Sequence, residues 1–176
     1  MPNRVSFSGE QLGLPEIAAH HQDLKSSLTL YFSPQSQIYS VRFDEYTAGE
    51  VSDELGERLA EADLTSSLTV LASVEAAFRV DYLQRCYRKE KDSLSRAFRI
   101  IYKVKQERAS LRDEILAAWV DNYYGVRSIV GELRSVFRFR DWLAHGRYWT
   151  PKLGQPYDFS GIFALADQTL RSFPFL

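Results

Sequence analysis

The chain has 176 residues, of which 45% are hydrophobic and 26% are charged, and its formal net charge is −1. These ordinary values exclude an intrinsically disordered chain and indicate one domain with an appendage. Cys86 is the only cysteine, which excludes an intrachain disulfide framework and a multi-cysteine zinc site. Residues 1–20 lack the continuous apolar stretch of a signal peptide, and no eighteen consecutive residues are apolar. We therefore predict a cytoplasmic protein without a membrane span.

Charge is distributed unevenly along the chain. Residues 1–63 carry four basic and eleven acidic side chains, whereas residues 64–176 carry eighteen basic and twelve acidic ones. The densest basic stretch, Arg79–Arg112, holds eleven Lys or Arg against four Asp or Glu. This pattern indicates either a polyanion partner for the second part or a solvated helix face that the acidic first part compensates. Composition alone favours the solvated face.

Two short segments near the start have the composition of β-strands. Residues 27–32 and 37–43 are rich in aromatic and β-branched side chains, and the four residues between them, Ser33–Ser36, are typical of a turn. The pattern predicts a small β-hairpin. Two strands are not stable alone, so this hairpin must pack against a helical body or a partner.

From Gly49 onward, apolar residues recur at helical spacing, and the fold class is mainly α. The predicted helices cover about residues 51–62, 64–89, 93–108, 111–124, 126–145 and 159–170. The predicted N-terminal caps are Asp63 or Thr65, Asp92 or Ser93, Ser110 with Asp113, and Asp158 or Ser160. We divide the chain into an N-terminal appendage at 1–63, formed by the hairpin and a short acidic helix, and a helical bundle at 64–176.

The predicted helix over residues 126–145 separates a polar face from an apolar one. The polar stripe consists of Arg127, Arg134, Arg138, Asp141 and His145. Arg140 instead falls inside the apolar arc, where a guanidinium is unfavourable unless it is paired or lies at an interface or cleft. It either forms a purely structural bridge to a carboxylate, such as that of Glu75 or Glu132, or it serves a site.

His145 follows Asp141 by four residues, so the carboxylate can accept a hydrogen bond from the imidazole and fix its orientation. Arg140 and His145 are five residues apart, about 140° around a helix, and cannot converge within one regular helix. Either the helix ends near Gly146 or a second copy of the chain completes the pocket. His20 and His21 lack a carboxylate or cysteine at ligand spacing, so we interpret them as surface histidines and predict no metal site.

The segment Arg140-Asp141-Trp142-Leu143-Ala144-His145 resembles the R-x4-6-H signature of the HEPN superfamily. The surrounding Phe139–Trp149 is similar to the form in RiboL-PSP-type and related bacterial HEPN proteins, and the preceding helix with Glu75 and Arg79 is compatible with it. The resemblance covers roughly residues 64–170. It implies an HEPN-like helical bundle that forms a homodimer in which two motifs face each other across a cleft.

The resemblance also implies metal-independent endoribonuclease activity without a cofactor, in a toxin or defence effector controlled by a partner such as an antitoxin or a nucleotidyltransferase. RNA supplies its own nucleophile, the 2′-hydroxyl, so His145 would shuttle protons, Arg140 would stabilise the transition state and Asp141 would orient the imidazole. We expect the remaining basic residues near the motif to contact RNA. They are Arg127, Arg134, Arg138 and Arg147. The alternatives are a non-catalytic HEPN module that binds nucleotide, RNA or a nucleotidyltransferase, and a structural helical adaptor.

Overall fold

A computed structural model of the chain describes residues 4–176, so the first three residues of the predicted N-terminal appendage lie outside the described range. The described residues form seven α-helices and no β-strand, which confirms the prediction of a mainly helical bundle. The helices are α1 (Leu14–Tyr31), α2 (Tyr39–Arg42), α3 (Ala48–Arg88), α4 (Ser93–Lys105), α5 (Leu116–Asn122), α6 (Arg127–Ala144) and α7 (Phe159–Ser172). Within residues 4–176, no helix has both the length and the hydropathy needed to cross a bilayer.

Helix α3 is the centre of the bundle, and α1, α4, α6 and α7 all pack against it. Its 41 residues span about 60 Å at the rise of an α-helix. It begins with a capping box, in which Thr47 accepts from the Glu50 amide and the Glu50 carboxylate accepts from the Thr47 amide. The core combines many aliphatic side chains with a few large aromatic ones. Its largest fully buried side chains are Trp119, Tyr82, Phe78 and Phe98.

The predicted β-hairpin is wrong. The first segment is the C-terminal part of α1, and the second contains the four-residue helix α2, while residues 33–36 form the expected turn. Pro15 in its first turn favours the start of α1, which buries Leu14 and Ile17 in the main core. A lone hairpin offers no comparable burial. Phe32 and Phe43 instead form a small second core in which their ring centroids are 5.1 Å apart.

Helix α3 runs without a break through the position where the sequence predicted a helix start. Asp63 and Thr65 both lie inside it, and the Thr65 hydroxyl donates to the backbone oxygen of Glu61 one turn earlier. The division proposed at residue 63 therefore falls within a continuous helix. The other predicted starts are confirmed, because Asp92, Ser110 and Asp158 all accept from backbone amides three residues later. Ser110 opens a π-helical turn, Leu111–Ile115, that continues into α5.

Candidate functional site

Helix α6 has the two faces that its sequence predicts. Ile129, Val130, Leu133, Val136 and Phe137 are buried on one side. Arg127 and Arg138 are exposed on the other, Arg134 is partly buried, and the helix ends at Ala144. The motif Arg140–His145 therefore occupies the last turn and a half of α6 and its C-terminal cap.

Arg140 lies between α6 and α3 and forms ion pairs within the chain. Its Nη2 is 2.7 Å from Oε2 of Glu75, its Nη1 is 3.3 Å from Oδ1 of Asp141, and 28% of its side chain is exposed. The other oxygen of Glu75 accepts from Nε of Arg79 at 2.7 Å. Of the two carboxylates that the sequence left open as partners, Glu75 is the one in contact. Within residues 4–176, the buried Nε of Arg140 has no hydrogen-bond partner.

The carboxylate of Asp141 does not orient His145 as expected. It pairs with Arg140 and with Arg112, whose Nη2 is 3.3 Å from Oδ2. The backbone oxygen of Asp141 takes its place, because it accepts from Nδ1 of His145 at 2.7 Å. The same carbonyl oxygen also accepts from the backbone amide of His145 at 3.0 Å, so the imidazole folds back onto the last turn of α6.

His145 is exposed, and its contact with Asp141 fixes which nitrogen faces solvent. A carbonyl oxygen can only accept, so Nδ1 carries the hydrogen and Nε2 of the neutral ring keeps the lone pair. After His145 the chain reverses through Gly146 at φ 80° and Arg147 at φ 59°. The imidazole therefore stands on a sharp turn with its basic nitrogen directed away from the helix end.

Arg140 and His145 are neighbours without direct contact. Within residues 4–176, no hydrogen bond or ion pair joins their side chains, and both are linked to Asp141 instead. The connected charges around Asp141 are three guanidinium groups, from Arg79, Arg112 and Arg140, and two carboxylates, from Glu75 and Asp141. This group, which we call the Asp141 network, carries one positive charge in excess.

The four arginines predicted to contact RNA lie in different places. Arg138 lines a cavity of about 220 Å³ with Asp141, Trp149 and Lys152. Arg127 lies at the other end of α6, 5.6 Å above the ring of Tyr124, and Arg134 lies between these ends. Arg147 forms two hydrogen bonds, of 2.7 and 3.0 Å, with the carboxylate of Glu61 on α3.

The aromatic residues that follow the motif are not among the site residues that the sequence predicts. Tyr148 is 83% exposed and Trp149 is 37% exposed, and their ring centroids are 4.7 Å apart. The backbone oxygen of Trp149 accepts from the Trp142 indole at 2.7 Å, which fastens this loop to α6. The available signal was the interleaving of aromatic and basic side chains in residues 147–152.

The side chains of Cys86 and His21 are both buried. Cys86 is buried, and burial raises the pKa of its thiol to about 12, so it stays protonated and is a poor nucleophile. His21 is not a surface residue as expected, because it is 6% exposed and contacts Asp63 at 2.8 Å. In the part of the chain from Arg4 to Leu176, no three His, Cys, Asp or Glu side chains converge to hold a metal ion.

The geometry at the end of α6 is thus a proton acceptor beside a positively charged network and an exposed aromatic loop. Comparisons of the chain with known protein families, curated protein sequences and solved structures found no match.

Proposed function

We propose that the protein is an HEPN-type endoribonuclease that cleaves RNA without a metal ion, using the 2′-hydroxyl of the substrate as the nucleophile. The observation that carries the proposal is the geometry of His145. Its imidazole is exposed, its Nδ1–H is held by the Asp141 carbonyl, and its Nε2 is free to take a proton beside the positive Asp141 network. This is the arrangement that a general base needs.

The reaction is an internal transfer of the phosphodiester. Nε2 of His145 takes the proton from the 2′-hydroxyl, whose oxygen forms a bond to the adjacent phosphorus. The bond from phosphorus to the 5′-oxygen breaks, and that oxygen takes the proton that Nε2 of the same His145 removed from the 2′-hydroxyl. The products are a 2′,3′-cyclic phosphate and a 5′-hydroxyl. DNA lacks the nucleophile and should remain intact.

The excess positive charge of the Asp141 network supports binding of the scissile phosphate. The guanidinium of Arg140 spans Glu75 and Asp141, which fixes its plane and leaves its buried Nε without a partner. A phosphate oxygen does not reach the buried Nε, but one that approaches the exposed part of this guanidinium is attracted by the excess charge of the network. Arg140 therefore has the position and the chemistry to stabilise charge on the transition state.

The loop after the motif supplies a surface for single-stranded RNA. Bases can stack on Tyr148 and Trp149, while Arg138 and Lys152 neutralise the adjacent phosphates. Stacking of this kind does not depend strongly on the base. We therefore expect cleavage of unpaired RNA with weak sequence preference, and growth arrest when the active protein is produced in cells without a controlling partner such as an antitoxin.

The separation of Arg140 and His145 supports a homodimer. Because the two side chains do not meet in one chain, we place the His145 of one copy opposite the Arg140 of another. Mixing His145→Ala with Arg140→Ala protein tests this arrangement. Half of the dimers in an equal mixture are mixed, and each then holds one intact composite site, so about a quarter of the wild-type activity should return. If each site belongs to one chain, mixing restores nothing.

A second function, a non-catalytic binding module, is favoured by a specific observation. The charge of Arg140 is already matched by Glu75 and Asp141 within one chain, as in a purely structural ion pair. Such a module would bind RNA, nucleotide or a nucleotidyltransferase without chemistry.

The deciding experiment incubates the purified protein with an end-labelled, unstructured RNA in the presence of EDTA. We expect cleavage with 2′,3′-cyclic phosphate ends and no cleavage of the matching DNA. His145→Ala should slow turnover about a hundredfold or more, the usual scale for a lost proton shuttle, and His20→Ala is the control at an exposed histidine of α1. RNA that is bound and never cut would select the binding module. Cleavage that requires added divalent ions would refute the proton-shuttle mechanism.

A further inference from the structure

A second cavity lies away from the end of α6, between the N-terminal segment and α3. Its volume is about 540 Å³, which is within the range of small-molecule pockets. Ala76, Val80 and Leu83 of α3 form its floor, and residues 5–11 form the opposite wall. We call this cavity the N-terminal cleft.

Both ends of the wall segment are fastened to α3. At one end the Val5 amide donates to the Tyr87 hydroxyl at 3.0 Å, and the Arg4 guanidinium lies 5.0 Å above the Tyr87 ring. At the other end the Ser73 hydroxyl donates to the Leu12 backbone oxygen at 2.8 Å. Residues 5–12 are therefore held against α3 at both ends, and the cleft lies between this segment and the helix. We call this segment the strap.

The strap presents apolar side chains that the protein itself covers only in part. Val5 and Phe7 are 42% and 40% exposed although both line the cleft. Together with the apolar floor they form a surface that gains from contact with an apolar ring system. The cleft walls therefore favour a hydrophobic ligand.

The charges at the rim determine which hydrophobic ligand fits best. Arg79 lines the cleft, but it is paired with Glu75, which it shares with Arg140, and the Ala109 backbone oxygen accepts from its Nη1 at 3.2 Å. Glu10 and Glu107 also line the cleft, and within residues 4–176 neither carboxylate forms an ion pair. The charges without a partner are thus both negative, and they attract a cation.

We propose that the N-terminal cleft binds a small hydrophobic cation. The apolar ring system of the ligand packs between Phe7 and the floor of α3, and its protonated amine points toward Glu10 and Glu107. The site is separate from the proposed ribonuclease centre, because no residue of the Asp141 network other than Arg79 lines it. It adds a ligand-binding function that the motif in α6 does not explain.

The test uses three fluorescent probes that share one naphthalene ring system and differ in charge. They are dansylcadaverine, a cation, dansyl amide, which is neutral, and dansylglycine, an anion. Each is titrated into the full-length protein at low ionic strength, and emission reports transfer into an apolar site. We expect saturable binding, with an affinity that decreases from dansylcadaverine to dansyl amide to dansylglycine. Equal affinity for all three, or a preference for the anion, overturns the assignment of ligand charge.

Substitutions of single residues test whether the probes bind in the N-terminal cleft. Glu107→Gln should weaken dansylcadaverine about two- to fivefold, the scale of one exposed ion pair, and leave dansyl amide unchanged. Glu57→Gln on the exposed surface of α3 is the matched control for charge. Phe7→Ala should weaken all three probes, whereas Val104→Ala, at a side chain 78% exposed on α4, should weaken none.

Two further outcomes would overturn the proposal. One is the absence of saturable binding of dansylcadaverine to the wild-type protein. The other is binding that Phe7→Ala and Val104→Ala weaken equally, which would mean that the probe adheres to any exposed apolar side chain. Circular dichroism of each variant verifies that its helices are intact, and Phe7→Ala changes a side chain that is already 40% exposed, so it tests the site without disturbing the core.

Discussion

Helix α3 carries two acid–arginine pairs with the same i, i+4 spacing, Asp81–Arg85 and Glu75–Arg79, in different environments. The side chains of Asp81 and Arg85 are 1% and 5% exposed. Arg85 donates to Asp81 and to the Pro174 backbone oxygen, and Asp81 also accepts from the Leu176 amide. This pair fastens the C-terminal segment to the core and has little capacity left for a ligand.

The pair that lies six residues earlier remains partly open. The side chains of Glu75 and Arg79 are 16% and 38% exposed, and Glu75 also holds Arg140. Unlike the buried pair, this group is connected to exposed side chains. Arg140 pairs with Asp141, whose carboxylate also pairs with Arg112 and whose backbone oxygen accepts from His145. Identical spacing in the sequence therefore produces a structural clamp where the partners are enclosed and a candidate site where they reach the surface.

The buried Asp81–Arg85 pair should contribute much more to the free energy of unfolding than an exposed pair of the same spacing. Asp81→Ala leaves the Arg85 guanidinium buried with only the Asp92 carboxylate, at 3.5 Å, as its counter-charge, and we expect the free energy of unfolding to fall by about 3 kcal/mol in urea denaturation. Asp167→Ala removes the i, i+4 partner of Arg171, which is 79% exposed, and should cost under about 1 kcal/mol. If both substitutions have equal effects, the contrast between clamp and open pair is wrong.

The Glu75–Arg79 pair should contribute less to the free energy of unfolding than the buried pair and more to RNA binding. Glu75→Gln removes the acceptor of two charged hydrogen bonds in a partly solvated place, and we expect a loss of about 1–2 kcal/mol in the same denaturation experiment. It also adds one positive charge to the Asp141 network, so the salt dependence of RNA binding should become steeper. A loss of stability as large as that of Asp81→Ala would make Glu75 a structural residue.

A third acid of α3 has a partner that titrates. Asp63 is 2.8 Å from Nε2 of His21, which stacks on Phe159 at 3.7 Å between ring centroids. Burial lowers the pKa of His21 from its ordinary value of 6.5, more than Asp63 raises it. Because the unfolded chain then binds the proton more readily than the fold does, stability is complete above pH 6.5 and falls as the pH drops below that value.

His21→Gln should therefore flatten the decline in stability between pH 7 and pH 5.5. The adjacent His20 is exposed on α1, and His20→Gln should leave the decline as it is in the wild type. Urea midpoints measured at several pH values compare the three proteins. Parallel curves for all three would mean that the burial of His21 has no influence on its proton affinity.

Local signals predicted the parts of the fold that depend on local contacts. Asp92, Ser110 and Asp158 start helices because their side chains cap amides three residues away, which a sequence displays directly. Asp63 has the same propensity, but its carboxylate contacts His21 and Lys25 of α1, so the helix continues through it. The hairpin prediction failed for the same reason. Packing of α1 on α3 overrides the strand propensity of residues 27–32.

The candidate site was predictable only as far as α6 itself. Its amphipathic faces and its end before Gly146 follow from spacing, and the structure has both. The choice of Glu75 rather than Glu132 as the partner of Arg140 depends on how α6 packs on α3, which no local pattern contains. The contact of His145 with the Asp141 carbonyl instead of its carboxylate depends on the residue at which the helix ends.

The smallest expected effect distinguishes two arginines of one helix face. Arg138 and Arg127 are both exposed on α6, and the sequence predicts that both contact RNA. Arg138 shares a cavity with Asp141 and Trp149, whereas Arg127 lies at the opposite end of the helix, about 16 Å away at 1.5 Å per residue. If RNA follows the loop beside His145, only the phosphates near Arg138 are neutralised by this helix face.

Arg138→Ala should then lower the slope of log affinity against log salt by about 0.7, the value for one phosphate of a single strand, and Arg127→Ala should leave it unchanged. Fluorescence anisotropy of a labelled RNA on the catalytically inactive His145→Ala background measures both slopes. Equal reductions would extend the RNA path along the whole of α6, and no change in either would leave this face as a solvated surface.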